Sequence, residues 1–186
     1  MEFNELEVLT IVNVKKQIKE HILATTSALT MPGILSQIIR KGIVTGGMSA
    51  SLFHNQKPND WDIYLTRQEE IDAFNECIKN SVSATNLVED TNPKYGVETL
   101  MNGKLVTAQA TTFKNGLQVI TMASAIARET FDYVHCMPYY DIQTDIYTIS
   151  RRQYDSIMTK TLVHNPRSTQ PATYRRDKFI KRGWHD

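Results

Sequence analysis

The fold of this chain is decided by two short motifs, Ile43-Val44-Thr45-Gly46-Gly47-Met48-Ser49 and, after ten intervening residues, Asp60-Trp61-Asp62-Ile63-Tyr64-Leu65. The β-branched run before the glycine pair predicts a short strand, and Met48 to His54 predicts the start of a helix. The second motif predicts another strand by its composition and its alternation of side chains. Together they indicate a strand, a Gly-Gly turn, a helix, a polar loop and a second strand.

The Gly46-Gly47 pair suits the binding of a phosphate chain. Only glycine lets the main chain approach a ligand without a Cβ atom in between. Because the pair lies between a predicted strand and a predicted helix, the helix N-terminus would point its free N–H groups at the phosphates. Ser49 would add a hydroxyl donor. These residues are therefore predicted to bind a nucleoside triphosphate.

Asp60 and Asp62 lie two residues apart on a predicted strand, so both carboxylates are expected on one face. The opposite, core-facing side would then consist of Trp61, Ile63 and Leu65. Two carboxylates 4 Å apart repel each other by roughly 4 kcal/mol at an effective dielectric constant near 20. Magnesium would offset that repulsion, because it binds carboxylate and phosphate oxygens together.

With these residues in this order, the chain resembles the DNA polymerase beta-like nucleotidyltransferase superfamily. Members carry Gly-Gly or Gly-Ser at the start of a helix and, a short distance later, Asp-x-Asp on a strand. The matching positions are Gly46, Gly47, Ser49, Asp60 and Asp62. Met48 stands where many members have a small residue, so the hydroxyl of Ser49 comes one residue later than usual. Residues 131–137 and 175–184 are also similar to small stand-alone members from bacteria and phages.

The resemblance implies a third carboxylate on a neighbouring strand, and Asp132 matches that position. A polar residue inside the aromatic and apolar run Phe131–Met137 needs such a reason, although an Asp at a strand start can also satisfy a backbone N–H. Asp141 and Asp145 are the alternatives. In the superfamily, three carboxylates hold two Mg²⁺ ions, for which Mn²⁺ can substitute. Asp60 and Asp62 would ligate both ions, and Asp132 would ligate the catalytic ion and help to deprotonate the acceptor.

The C-terminal segment is locally basic. A helix predicted over Pro171–Arg182, capped by Ser168 or Thr169, would carry Arg175, Lys178 and Arg182 on one face, with Tyr174, Phe179 and Ile180 as packing candidates. This face would contact the triphosphate or a nucleic-acid backbone. The alternative is a solvated face, since cations are favoured near a helix C-terminus.

Lys57 lies in the loop before Asp60 and is a further phosphate-binding candidate, whereas His54 and His135 lack metal-ligand spacing and are predicted to be structural.

The remaining pattern predicts an α+β fold, a nucleotidyltransferase-like mixed sheet flanked by helices, with further helices at the C-terminal end. The other predicted helices cover Glu5–Ala28, Ile34–Lys41, Arg67–Val82 and Arg151–Leu162, and the other strands cover Val97–Met101, Leu105–Phe113, Leu117–Met122, Phe131–Met137 and Asp145–Ile149. Gly42 is predicted to end the second helix as a C′ glycine, and the Asn102-Gly103 and Asn115-Gly116 pairs predict hairpin turns. We expect a single domain with N-terminal helices in 1–42, a sheet core in 43–149 and a helical segment in 150–186.

Length and composition set the limits of these hypotheses. The 186 residues suffice for a buried core, and the net charge of +1 gives no global field that would draw the protein to nucleic acid or membrane. The two cysteines form neither a disulfide framework nor a zinc cluster. No signal peptide and no long apolar run are evident, so we expect a cytoplasmic protein without a membrane partner.

Two functions follow from the sequence. The first is a magnesium-dependent nucleotidyltransferase that moves NMP from an NTP to a hydroxyl acceptor on RNA or tRNA, a protein or a small molecule. The second is a catalytically silent module of the same fold, for instance in a toxin–antitoxin pair or a phage particle, because a fold can persist without its chemistry.

Overall fold

The computed structural model describes residues 2–101, 104–123, 127–168, 170–173 and 175–186. The helices are α1 (Glu5–Thr25), α2 (Gly33–Ile39), α3 (Met48–Phe53), α4 (Gln68–Asn80), α5 (Val82–Thr85), α6 (Arg151–Thr159) and α7 (Arg176–Lys181). The strands are β1 (Ile43–Thr45), β2 (Trp61–Leu65), β3 (Val88–Met101), β4 (Lys104–Phe113), β5 (Leu117–Thr121), β6 (Tyr139–Asp141) and β7 (Ile146–Thr148). Two short 3₁₀ turns cover Ala127–Thr130 and Val134–Cys136.

The described strands form one seven-stranded sheet in the order β3-β4-β5-β2-β1-β6-β7. Strand β2 lies at its centre, pairs parallel with β5 and pairs antiparallel with β1. The remaining pairs are antiparallel. The predicted α+β class is confirmed: a mixed sheet is flanked by helices, and helices follow it at the C-terminal end.

The core lies on both faces of β2. Ile63 and Leu65 are fully buried, and Trp61 stacks on the ring of His21 in α1 with 3.9 Å between centroids. Helix α1 begins at a capping box in which Asn4 and Glu7 exchange hydrogen bonds. Of the apolar residues in α1, Ile18 and Ile22 are buried whereas Leu9, Val12 and Leu23 are exposed.

The strand predicted over Phe131–Met137 is wrong. Its middle is the 3₁₀ turn Val134–Cys136, and the strand that pairs with β1 is β6, three residues further on. The chain turns here because the N–H of Cys136 donates to the carbonyl of Tyr133. The aromatic and apolar composition of this run reflects burial, which a 3₁₀ turn can satisfy as well as a strand can.

The long hairpin β3–β4 begins earlier than the sequence indicates. Strand β3 starts at Val88, whereas the sequence predicts a strand only from Val97. The hairpin turn predicted at Asn102-Gly103 lies outside the described residues. The turn at Asn115-Gly116 is confirmed: Gly116 has φ +90° and joins β4 to the antiparallel β5. None of the described helices is both long and apolar enough to cross a membrane.

Gly42 allows α2 to pack closely on β2. A Cβ atom at this position would lie 2.6 Å from Ile63 Cγ2, 2.9 Å from the carbonyl oxygen of Tyr64 and 3.1 Å from that of Ile39. The prediction that Gly42 is the left-handed C′ residue of α2 is wrong, because the helix ends with Arg40 as its C-cap and Gly42 has no positive φ. Glycine is needed here for space and not for backbone conformation.

We predict that Gly42→Ala lowers the free energy of unfolding by about 1–3 kcal/mol, because the added methyl group overpacks the contact with β2. The matched control is Gly33→Ala at the start of α2, where a Cβ atom would meet nothing within 4 Å. That change should stabilise the protein by about 0.4–1 kcal/mol, because alanine lowers the conformational entropy of the unfolded chain. Urea unfolding of both variants measures the difference, and equal effects would contradict the steric explanation.

Candidate functional site

A cleft of about 140 Å³ opens between the start of α3, the start of β2 and helix α7. Its lining includes Gly47, Asp60 and Asp62 together with Arg175, Lys178 and Arg182. Two acids and three cations therefore share one small space. The sequence predicts this combination, although it comes from segments more than a hundred residues apart.

The two acids reach the cleft from the edge of the central strand. Asp60 immediately precedes β2 and is exposed, and Asp62 is the second residue of β2 and is half-buried. The three apolar residues predicted to face the core, Trp61, Ile63 and Leu65, are buried. Both carboxylates line the cleft, as expected if they lie on one side of the strand.

Gly46 and Gly47 contribute in different ways. Gly46 has φ +106°, a conformation that favours glycine, and a Cβ atom there would lie 3.5 Å from Asp62 Oδ2. Its N–H donates to the carbonyl of Cys136 over 3.1 Å, so this donor is already used within the protein. Gly47 caps α3 and has open space where a Cβ would lie. Gly47 is therefore the glycine that presents backbone to the cleft, whereas glycine at position 46 suits the left-handed backbone conformation.

The hydroxyl in the cleft belongs to a residue that the sequence did not single out. Ser49 is fully buried and accepts a hydrogen bond of 2.8 Å from the hydroxyl of Tyr147, so the structure does not bring it to the cleft. Ser51 lines the cleft instead. Which of the two serines points to the cleft depends on the residue at which α3 starts, because that residue sets the direction of each side chain around the helix.

Asp132 does not join Asp60 and Asp62 as a third metal ligand. Its side chain is 2% exposed and accepts two hydrogen bonds from Arg175, 2.8 Å from Nε and 2.5 Å from Nη2. Its Oδ1 also accepts from the N–H of Tyr133. Across the described ranges, no group of three acidic, histidine or cysteine side chains could hold a metal ion. Asp132 therefore anchors Arg175 at the cleft.

Neither alternative acid replaces Asp132. Asp141 caps a turn by accepting from the N–H groups of Gln143 and Thr144. Asp145 accepts from the Tyr140 hydroxyl over 2.7 Å and pairs with lysines of α1. The parallel neighbour β5 offers no acid either, since Gln118 lies opposite Asp62 in the register. The described site thus has two carboxylates.

The basic wall of the cleft is built differently from the prediction. Helix α7 spans only Arg176–Lys181, and Arg175 is its N-cap with φ 55°, a left-handed conformation that is uncommon for residues other than glycine. Of the predicted caps, Ser168 lies outside any helix, while Thr169 and the packing candidate Tyr174 lie outside the described residues.

Burial lowers the pKa of Lys178, and the neighbouring Arg182 and Arg175 lower it further, while Asp60 opposes the shift. The cations are therefore close enough to repel one another and to share an anion.

A larger cavity of about 360 Å³ adjoins the cleft and shares part of its lining with it. Lys57 lines this cavity and not the cleft. His135 lies in its wall, almost fully buried, with its ring stacked on Trp184 at 4.0 Å. Within the described residues neither ring nitrogen of His135 has a hydrogen-bond partner. Burial lowers the pKa of His135 to about 3, so its ring is neutral at physiological pH.

We predict that Arg175→Met destabilises the protein by about 3–5 kcal/mol, because it leaves the buried Asp132 carboxylate without its partner. Adding Asp132→Asn to that variant should restore part of the loss, since a neutral amide costs less to bury than an unpaired charge. Chemical unfolding of the two single variants and the double variant measures the coupling. Additive losses would contradict an ion pair that stabilises the segment.

We also predict that His135→Phe reduces the dependence of stability on pH. With an unfolded pKa of about 6.5 and a folded pKa of about 3, the neutral buried His135 costs nothing above pH 6.5, and stability is lost progressively as the pH falls toward 3. Between pH 7 and 5.5 the wild type should lose about 1 kcal/mol more than the variant. Unfolding at both pH values tests this, and parallel losses would show that His135 is protonated in the folded state.

Three solved structures have similar chain paths. A Thermotoga maritima CCA-adding enzyme complexed with tRNA is 12% identical, with a TM-score of 0.45 over 71% of this chain and 30% of that one. A CCA-adding enzyme with ATP is 11% identical, with a TM-score of 0.45 over 77% and 35%. A tRNA-processing enzyme is 10% identical, with a TM-score of 0.45 over 87% and 37%. The chain spans about a third of the length of these structures.

Sequence comparison gives a more direct relationship. No curated protein sequence matches the chain. The family model described as "Gabija anti-defense 2 family protein" matches residues 13–160, which include Gly46, Gly47, Asp60, Asp62 and Asp132. Because this match covers most of its length, the chain belongs to the Gabija anti-defense 2 family.

Proposed function

We propose that this protein binds a nucleoside triphosphate as its magnesium complex and transfers the nucleotidyl group to a hydroxyl acceptor. The observation that carries this proposal is the cleft in which Asp60 and Asp62 face Arg175, Lys178 and Arg182. Carboxylates alone would repel a triphosphate, and cations alone would bind any anion. Acids and cations that line the same cleft suit a ligand that is both a polyanion and a metal chelator.

The donor set of the cleft fits magnesium. Mg²⁺ is usually held by one or two carboxylates, with substrate phosphates and water completing its coordination. Asp60 and Asp62 supply that number, and the triphosphate would supply further oxygens. When bound, the metal would neutralise phosphate charge and lower the pKa of the attacking hydroxyl. Since no third acid joins the two among the described residues, binding of the metal should depend strongly on the nucleotide.

The protein's own residues would position and stabilise the reacting groups. The acceptor oxygen would attack the α-phosphorus, the bond between the α-phosphorus and its bridging oxygen would break, and pyrophosphate would leave with the negative charge. Arg175, Lys178 and Arg182 would stabilise that charge from fixed positions. Asp132 would act as a positioning residue, because it holds the guanidinium of Arg175 by two hydrogen bonds. The proton of the acceptor would pass to solvent or to the exposed Asp60.

The acceptor is a hydroxyl on RNA, a protein or a small molecule. The family is named for acting against Gabija. We therefore infer that the transfer serves to counter that defence.

A nucleotide-binding module without transferase activity is the second candidate. The observation in its favour is Asp132, whose buried carboxylate is engaged by Arg175 and does not line the cleft. Such a protein would bind the magnesium complex of an NTP in the same cleft but would transfer nothing. In that form it would act by sequestration or by contact with a partner.

The test combines a binding measurement with an assay of transfer. Wild-type protein is incubated with each α-³²P-labelled NTP, Mg²⁺ and a cell lysate, and NTP binding is measured separately by calorimetry. Asp60→Asn and Asp62→Asn should each reduce label transfer by about a hundredfold or more, because each removes a metal-binding charge. The control is Asp72→Asn, an exposed acid of α4 outside the cleft, which should transfer normally.

The outcomes separate the two candidates. Transfer that persists in Asp62→Asn would exclude this cleft as the site. NTP binding without transfer to any lysate component would favour the silent module. Asp132→Asn adds a further readout: weaker NTP binding with residual transfer supports its positioning role, whereas normal binding with no transfer would make it a catalytic carboxylate.

A further inference from the structure

The larger cavity beside the cleft has a chemistry of its own, and we call it the cationic chamber. It is defined by Lys57, Lys160, Arg182, His135 and Trp184. Its volume of about 360 Å³ lies within the usual range for small-molecule sites. The chamber can therefore hold a ligand of nucleotide size.

The charge of the chamber is unbalanced. Lys57, Lys160 and Arg182 come from three separate segments, and none of them forms an ion pair within the described ranges. The described lining of the chamber also contains no carboxylate. Cations gathered around a recess without counter-charge favour an anion that brings several oxygens, of which a phosphate group is the common biological example.

His135 adds a second and independent requirement. It is 1% exposed, it lines the chamber, and its two ring nitrogens have no hydrogen-bond partner among the described residues. Buried polar atoms are nearly always satisfied by protein, water or ligand, because leaving them unsatisfied is costly. A neutral imidazole suits a sugar hydroxyl or a base edge better than it suits a phosphate. The ligand should therefore carry neutral polar groups as well as phosphate.

The chamber and the cleft are neighbours with different tasks. They share Gly47, Ser51, Asn59, Phe179 and Arg182, so a ligand in one lies beside a ligand in the other. Asp60, Asp62, Arg175 and Lys178 line only the cleft. The triphosphate chain of the donor must lie in the cleft if it is to use the two acids. An uncharged nucleoside in the chamber would form no ion pairs with the three cations there. The occupant of the chamber should carry a phosphate of its own.

We infer that the cationic chamber binds the acceptor, and that the acceptor is a phosphorylated sugar: a free nucleotide or the terminal nucleotide of a nucleic acid. Its phosphate would contact Lys57, Lys160 and Arg182, its sugar or base would hydrogen-bond to His135, and a hydroxyl would face the cleft. This inference rests on the proposed function and specifies its acceptor. It disfavours a protein side chain as the acceptor.

The test compares phosphorylated with unphosphorylated probes. AMP and a 5′-phosphorylated ribotrinucleotide are titrated into the full chain beside adenosine, which carries no phosphate. Binding is followed by calorimetry and by the ring NMR signals of His135. Only the phosphorylated probes should bind and shift His135. Tighter binding of the trinucleotide would assign a nucleic-acid end, and tighter binding of AMP would assign a free nucleotide.

The variant for this test is Lys57→Gln combined with Lys160→Gln, since neither lysine lines the cleft. It should weaken binding of the phosphorylated probes by about tenfold or more, as expected for lost charge-assisted hydrogen bonds, while changing MgATP affinity less than twofold. The control is Lys16→Gln, an exposed lysine on α1, which should leave both affinities unchanged. Asp62→Asn should do the reverse of the double variant and weaken only MgATP.

Three results would overturn the inference. The first is that the phosphorylated probes do not bind, and the second is that the double variant binds them as tightly as the wild type. The third is that the double variant loses affinity for MgATP as well as for the probes, which would make the chamber part of the donor site. Failure of the proposed function appears separately, as wild-type protein that binds AMP in the chamber but neither binds MgATP nor transfers label. That result would leave the phosphate site and remove its role as an acceptor site.

Discussion

The ion pair between Asp132 and Arg175 joins the C-terminal segment to the part of the protein that carries the two acids. It places a guanidinium group at the cleft and holds the residue from which α7 starts. Phe179 of α7 then packs edge-on against His135, and Trp184 stacks on the same ring. Because α7 forms a wall of both the cleft and the chamber, the shape of each depends on this one buried contact.

This dependence gives Asp132 a role at the cleft that it exerts through Arg175. A buried carboxylate that binds an arginine in two places fixes both the position and the orientation of the guanidinium plane. The left-handed backbone of Arg175 is an added cost that such a partner can offset. Substrate phosphates would then meet a preformed cationic wall, and little ordering would remain to be done on binding.

The local parts of the site could be predicted from the sequence. The strand, glycine pair, helix and Asp-x-Asp strand lie within 23 residues, and their order alone brings Gly47, Asp60 and Asp62 together. The basic residues Arg175 and Lys178 were also predicted, although the helix that carries them is shorter and begins later than the pattern indicates. The shared place of Gly47, Asp60 and Asp62 could be predicted because their spacing in the sequence and their spacing in the fold coincide.

The parts that failed depend on contacts between distant segments. Asp132 has the residue type expected of a metal ligand, and only the position of Arg175, 43 residues later, shows that it binds a guanidinium instead. Ser49 and Ser51 differ by two positions on a helix, so a small error in its start exchanges which serine reaches the cleft. The structural role predicted for His135 did not fail in this way, because its ring is buried and stacked on Trp184, a residue 49 positions away.

The pairing of Gln118 with Asp62 has a consequence for how the acidity of this site can change over evolutionary time. Neighbouring residues on paired strands point to the same face about 4.8 Å apart, so Gln118 is directed to the side on which Asp62 lies. Glutamine and glutamate codons differ by one base. A third acid beside Asp62 is therefore a single mutational step away and requires no backbone rearrangement. Replacement of the Gln118 amide by a carboxylate would add an acid to this face, and the strand pairing would not need to change.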